Sequence, residues 1–257
     1  MYQRCPVCQA AQAANAQRCA ACGLDFRVWL KSQLQAAHQA QYGVLDAEHE
    51  PLPSPAADRD SFATRLADTL LAVYPTDALN FWARVLLYLG LLVWGWYFIG
   101  LDFRSNAIGN SFLHGVNLVF HEAGHVIFSL FGDFMRVFGG TLGQLLMPLI
   151  VAGTFLIQQG DNFGASVGLW WFSQSLMDCA PYINDARAGE LLLLGGVTGN
   201  DVPGYHDWTN LLGRMGLLAY DQRIAHAVDL LGSLLMLLVL AWGGVLLYRQ
   251  WRVCRDV

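Results

Sequence analysis

Three residues near the middle of the chain, His121, Glu122 and His125, have the types and spacing of a zinc-hydrolase site. On a helix, residues four apart share one face, so the two histidines can place imidazole nitrogens on one Zn²⁺ ion. The glutamate then lies beside the metal, where its carboxylate can take a proton from a metal-activated water. The segment therefore predicts metal-assisted hydrolysis at a carbonyl group.

This motif lies inside an apolar stretch that is long enough to cross a membrane. Across the chain 55% of residues are hydrophobic and only 14% are charged, against about 25% charged in an average soluble domain. Ionisable side chains are costly within a bilayer and usually serve a function there. The same helix carries Asn110, His114 and Asn117, a polar stripe that could line a hydrated path or simply bond neighbouring helices. The composition favours a metal site within a membrane protein.

A second set of metal-binding residues forms two Cys-x-x-Cys pairs, separated by ten residues, near position 1. Four thiolates at this spacing satisfy a tetrahedral Zn²⁺ ion, and Gly23 allows the tight turn that follows the second pair. Two disulfides or a redox pair are the alternatives. The spacing predicts a zinc ribbon held by Cys5, Cys8, Cys19 and Cys22, with Cys179 and Cys254 isolated and reduced.

The apolar residues are concentrated after residue 82, so the chain divides into a soluble head and a membrane body. We expect the ribbon at 1–25, a helical stretch and proline-rich acidic tether at 26–60, a juxtamembrane amphipathic helix at 61–80, and a membrane-embedded domain at 81–257. The net charge of −5, without a clustered basic patch, argues against a nucleic-acid partner. No signal peptide is visible, so the head should remain on the side where it is made.

Five apolar segments reach the roughly 20 residues that span a bilayer: 83–101, 107–131, 140–158, 163–183 and 224–248. They predict an all-α polytopic membrane protein with about five transmembrane helices, or six if one crossing is hidden. With five spans, eleven Lys and Arg residues fall on the N-terminal side and four on the other, which places the ribbon in the cytoplasm. The C-terminal arginines then lie outside, contrary to the same rule, and a sixth crossing would remove this conflict.

A hydrolytic zinc site needs a third protein ligand, and several acidic residues after the motif are candidates. If the second and fourth spans run in the same direction, Asp178 lies about 22 Å from the outer face, level with His121. This match makes Asp178 the first choice. Asp185 and the His206-Asp207 pair remain alternatives, although Asp207 could instead cap the helix that follows it.

In this motif and its later acidic residue, the chain resembles the site-2 protease family of intramembrane zinc metalloproteases. The resemblance covers about residues 107–187 and rests on His121, Glu122 and His125, with Asp178 or Asp185 as the later acid. It implies that the two histidines are zinc ligands and that Glu122 is the general base. Family members commonly have Asp followed by Gly, whereas here a cysteine and an alanine follow the two acids.

Together these observations predict an intramembrane zinc metalloendopeptidase that cleaves a membrane-embedded or membrane-proximal protein substrate, with Glu122 activating a zinc-bound water. Two zinc ions per chain are expected, one catalytic and one structural in the ribbon. The expected location is a bacterial inner membrane, with the ribbon in the cytoplasm and available to a protein partner. The alternative is a non-catalytic zinc-binding membrane scaffold or adaptor that recruits a partner through the ribbon.

Overall fold

The computed structural model describes residues 4–11, 16–30, 32–34 and 62–255, in two units that comprise Met1–Asp60 and Ser61–Val257. In the first unit, residues 26–30 and 32–34 are helical. The proline-rich tether lies outside the described residues.

Each Cys-x-x-Cys pair of the first unit forms the same tight turn. The Cys19 N–H donates to Leu24 O, and Cys19 O accepts the Gly23 N–H, both at 2.8 Å. Gly23 has a φ of +72°, in the left-handed region that glycine adopts without steric cost. The first pair repeats the two hydrogen bonds around Cys5, with Gln9 in the left-handed position at φ +61°. The turn expected at Gly23 is therefore present.

The second unit is built from α-helices, and its longest connection is the 185–206 segment between α5 and α6. The described α-helices are α1 (Phe62–Leu70), α2 (Ala78–Ile99), α3 (Phe112–Phe128), α4 (Asp133–Gly153), α5 (Asn162–Asn184), α6 (Asp207–Arg214) and α7 (Asp221–Arg255). Turns of 3-10 helix lie at Phe103–Ser105, Ala107–Asn110, Ser129–Phe131 and Leu218–Tyr220, and α4 continues as a π-helix over Thr154–Gln158. No strand occurs among the described residues, which agrees with the predicted all-α class.

Three segments are long and apolar enough to cross a membrane: Ala78–Ile99, Asp133–Gln158 and Leu218–Arg255. The 22 residues of α2 extend about 33 Å, slightly more than the roughly 30 Å hydrocarbon core of a bilayer. Along α2, Leu86, Val93 and Trp96 are each more than half exposed, as lipid-facing side chains are. These segments indicate a membrane protein, and among the described residues three helices meet the length and apolarity of a span, against the five predicted.

The central helix α5 is as long as these segments but less apolar, because it faces protein on nearly all sides. Seventeen of its 23 residues are buried, against three of 22 in α2. Its polar side chains, including Ser173, Gln174 and Asp178, lie in the interior of the unit. Buried polar groups need hydrogen-bond partners there, so the polarity of α5 points to a network with neighbouring helices.

Helix α3, which carries the His-Glu-x-x-His motif, has only 17 residues and runs antiparallel to α5 where the two meet. His114 near its start contacts Asp178 in the last third of α5. Further along, the Phe120 ring lies 5.8 Å from the ring of Trp171, which is an earlier residue of α5. Residue numbers thus rise along one helix and fall along the other.

The other end of α3 packs on the beginning of α4. A Cβ built on Gly124 would lie 2.0 Å from Gly139 O, so the two backbones are in direct contact. The middle of α4 packs on α5 just beyond the midpoint of α5, where Ser175 Oγ donates to Gln144 O at 3.3 Å. Because α4 and α5 are antiparallel, the start of α4 lies toward the end of α5. Both ends of α3 therefore lie near the same end of the helix bundle, and α3 crosses its neighbours obliquely instead of running their length.

Candidate metal centres

Helix α6 brings Asp207 onto the His-Glu-x-x-His motif. Asp207 Oδ2 lies 3.0 Å from His121 Nε2 and 3.2 Å from His125 Nε2. The two imidazole centroids are 4.8 Å apart, with ring planes at 81°. One carboxylate oxygen of Glu122 and one nitrogen of each histidine lie within 4.8 Å of one another. The three motif residues thus form one cluster, and Asp207 contacts its two imidazoles from α6.

Both imidazole rings are held through their Nδ1 atoms. His125 Nδ1 lies 2.7 Å from the backbone O of Arg136, and His121 Nδ1 lies 3.3 Å from Oε1 of Gln144. The Gln144 amide nitrogen donates to acceptors elsewhere, so its oxygen is the atom that faces the ring. Carbonyl oxygens only accept hydrogen bonds, which places the proton of each neutral ring on Nδ1. Each Nε2 then presents a lone pair to Asp207.

This donor set fits a zinc ion. Two imidazole lone pairs and a carboxylate oxygen repel one another unless a cation lies between them, and two imidazolium rings side by side would be costly in a buried site. Tetrahedral bonds of about 2.0–2.1 Å separate the ligand atoms by about 3.3 Å, close to the observed 3.0 and 3.2 Å. Two histidines and one carboxylate leave the fourth position open, as in catalytic zinc sites.

Gly140 of α4 leaves the room that this arrangement needs. A Cβ at Gly140 would lie 2.5 Å from His121 Nε2 and 2.6 Å from His125 Nε2. Carbon and nitrogen atoms do not approach this closely without a bond. Any larger side chain at this position would push both rings away from Asp207.

Two aromatic side chains hold Asp207 in place. Tyr182 Oη accepts the backbone N–H of Asp207 at 2.9 Å, and the Tyr182 ring lies 4.3 Å from the ring of His206. His206 caps α6, because its Nδ1 accepts the Thr209 N–H at 3.2 Å.

The structure corrects the placement expected for Asp178. Its side chain is 2% exposed and accepts hydrogen bonds from His114 Nδ1 at 3.0 Å, Asn117 Nδ2 at 2.9 Å and Gln144 Nε2 at 3.2 Å. The prediction that Asp178 lies at the same depth as His121 required the two helices to run in the same direction, whereas α3 and α5 are antiparallel. Asp178 is consequently level with His114 and orients Gln144, which in turn bonds His121.

The other acidic candidate, Asp185, also lies away from the two imidazoles. Its carboxylate accepts the N–H groups of Glu190 and Leu191, each at 3.0 Å, and lies 3.3 Å from His206 Nε2. These contacts fix the turn that follows α5. Of the alternatives that the sequence left open, Asp207 is the residue that reaches the motif. His206 caps α6, the role that the sequence offered as the alternative for Asp207.

A cavity of about 600 Å³ opens beside the two histidines, a volume typical of ligand-binding sites. Its lining includes His114, Glu122, Thr141, Tyr182, Leu191, Leu192, Leu193 and Leu194. Thr141 Oγ1 is buried and has no hydrogen-bond partner in the described part of the chain. The cavity therefore combines polar groups near the motif with a leucine-rich wall.

The four ribbon cysteines form a second candidate metal centre. Their sulfur atoms lie within 4.8 Å of one another, with Cys5 Sγ 3.7 Å from Cys22 Sγ and Cys8 Sγ 3.5 Å from Cys19 Sγ. Tetrahedral Zn–S bonds of about 2.3 Å separate the sulfurs by about 3.8 Å. The Cys19 sulfur accepts a hydrogen bond from the backbone N–H of Cys22. This bond lowers the pKa of Cys19 to about 6, although partial desolvation acts in the opposite direction. The quartet predicted from spacing is therefore brought together.

Comparison with known proteins yields no match for this chain among family models, curated sequences or solved structures.

Replacing Gly140 with alanine should remove zinc from the motif, because the added methyl group displaces both Nε2 atoms. Zinc content is best measured in a chain whose ribbon cysteines are changed to serine, so that only the membrane site is counted. Gly153→Ala is the matched control, since a Cβ at this position of the same helix meets nothing within 4 Å. Equal zinc contents in the two variants would contradict the geometry.

Asp207→Asn should weaken zinc binding at the motif more than Asp178→Asn, although the chemical change is identical. Loss of a ligand should exceed the 10–100-fold loss in affinity that is usual for groups one shell further out, which is the effect expected at Asp178. Chelator competition in the same ribbon-free background measures both affinities. A larger loss in Asp178→Asn would return the role of third ligand to Asp178.

Proposed function

We propose that this chain is a membrane-embedded zinc metalloendopeptidase whose catalytic ion is held by His121, His125 and Asp207. The observation that carries the proposal is the approach of one Asp207 oxygen to both Nε2 atoms, with Glu122 alongside. A zinc ion bound there would lower the pKa of a coordinated water and polarise a carbonyl group. The carboxylate, which was assigned to Asp178 from the sequence, is now assigned to Asp207.

Glu122 is suited to act as the general base. Its side chain lines the cavity and has no hydrogen bond or ion pair with the described residues, so its carboxylate is free to accept a proton. Glu122 lies within α3 and not at a helix end, so its carboxylate is not used to cap the helix. In the proposed reaction Glu122 takes the proton of the attacking water and passes it to the leaving amine.

The surrounding residues would hold the two imidazoles and the Asp207 carboxylate in fixed orientations. Gln144 and the Arg136 carbonyl fix the tautomer and orientation of the two imidazoles. Tyr182 and His206 fix the short helix that carries Asp207. Such outer contacts raise the basicity of histidine ligands and limit their motion.

A protein substrate is favoured by the shape of the cavity. Its volume of about 600 Å³ accommodates a few residues of an extended chain, and the leucine-rich wall offers contacts to apolar side chains. The resemblance to site-2 proteases supports the same class of reaction, since that family also carries this motif on a membrane helix. Here the third ligand would come from a separate short helix after α5.

Glu122→Gln should abolish hydrolysis while the zinc content and the helical fold are retained, because glutamine keeps the shape of the side chain but cannot take up a proton at neutral pH. Membrane-protein fragments from cells that express wild-type or variant protein can be compared by mass spectrometry. Fragments that depend on the activity should appear with wild-type protein and be absent with Glu122→Gln.

The matched control for this experiment is Glu190→Gln, which makes the same chemical change in an exposed residue of the loop after α5. It should leave the fragment pattern of the wild-type protein unchanged. Identical fragments from wild-type and Glu122→Gln cells would rule out the proposed mechanism. Together with retained zinc, that result would support the scaffold or adaptor alternative.

A further inference from the structure

The two ends of the membrane unit lie at one end of its helix bundle. In the second half of α7, Trp242 Nε1 donates to Leu70 O at 2.9 Å, and closer to the helix end Gln250 Nε2 donates to Tyr74 O at 3.0 Å. The starts of α2 and α5 meet at the same place, where Arg84 and Asp161 form an ion pair at 3.0 Å. We call this the terminal end of the bundle.

The candidate metal site lies at the opposite end, which we call the site end. Tyr182, which holds Asp207, is two residues before the last residue of α5. The start of α7 is fixed nearby, because Arg187 just beyond α5 pairs with Asp221 at 2.8 Å. The site is therefore close to one surface of the bundle, away from its middle.

Four long helices, α2, α4, α5 and α7, connect the terminal end with the site end. Helix α3 adds no crossing, since both of its ends lie near the site end. Four crossings return the chain to the side from which it started, so Tyr74 and Cys254 lie on one side of the membrane. The C-terminal arginines then share a side with the residues before α2, which resolves the conflict expected from five spans without any hidden crossing.

The charge distribution indicates which side is cytoplasmic. Ten of the fifteen Lys and Arg residues belong to the terminal end or precede α1, and no apolar run of spanning length occurs before α2. The five at the site end are Arg104, Arg136, Arg187, Arg214 and Arg223, and four of these pair with aspartates. Cytoplasmic segments carry the excess of basic residues. A four-cysteine zinc site also requires reduced thiols, as in a reducing compartment.

We propose that the metal site opens on the extracytoplasmic face of the membrane and acts on protein segments exposed at that face. The proposal rests on the proposed hydrolytic function for the nature of the substrate, but the sidedness follows from the path of the helices. It reverses the depth expected from the sequence, which placed the motif nearer the cytoplasm. Substrates would be membrane or exported proteins whose scissile bond lies just outside the lipid.

The sidedness can be tested with single cysteines and a membrane-impermeant maleimide, in the full chain expressed in a bacterial host. Met215→Cys, 46% exposed after α6, reports on the site end, and Tyr74→Cys, 65% exposed, reports on the terminal end. Both variants carry Cys254→Ser, while Cys179 is buried. The parent with Cys254→Ser and no added cysteine gives the background from the ribbon.

Met215→Cys should be labelled equally in intact and permeabilised spheroplasts, whereas Tyr74→Cys should be labelled only after permeabilisation. The reverse pattern, or equal behaviour of the two positions, would overturn the proposal. Labelling requires no hydrolysis, so its outcome is independent of the Glu122→Gln comparison. If fragments dependent on Glu122 are found, their new termini should map to extracytoplasmic segments, and termini in cytoplasmic segments would also count against the proposal.

Discussion

Direct backbone contact between α3 and α4 sets the position of everything in the candidate site. A Cβ at Gly124 would lie 2.0 Å from Gly139 O, and one at Gly143 would lie 2.5 Å from Phe120 O. Small residues allow such close approach between membrane helices, where van der Waals packing replaces the hydrophobic effect as the driving force. The contact turns α3 across the bundle and leaves Gly140 facing the two imidazoles. The motif is thereby held next to α6, which carries Asp207, the proposed third ligand.

A buried polar network supports this crossing from the other side. Asp178 accepts hydrogen bonds from three side chains, and Asn117 Nδ2 is shared between Asp178 Oδ2 and Gln174 Oε1. A membrane-buried carboxylate without partners would be costly, and three donors offset that cost. The same network includes Gln144, whose Oε1 contacts His121 Nδ1. Stability of the central helix and orientation of a proposed ligand therefore depend on the same residues.

Much of this architecture could be predicted from local patterns, and the parts that failed depend on tertiary contacts. The motif, the cysteine spacing and the apolar segments are local, and each corresponds to an element or cluster in the structure. The direction of α3 relative to α5 is set by glycine contacts with α4, which spacing within one helix does not reveal. That direction decided between Asp178 and Asp207. The polarity of α5, with its run Ser173, Gln174 and Ser175, was a usable sign that it is buried in protein and not in lipid.

The central claim is that His121, His125 and Asp207 form a zinc site that is separate from the ribbon. Its most direct test is the zinc content of the purified full chain after Cys5, Cys8, Cys19 and Cys22 are changed to serine, with and without His125→Ala. The account predicts about one zinc ion per chain in the first protein and none in the second, since two ligands alone do not retain zinc. A ribbon-free chain that binds no zinc, or one that keeps it after His125→Ala, would contradict the account.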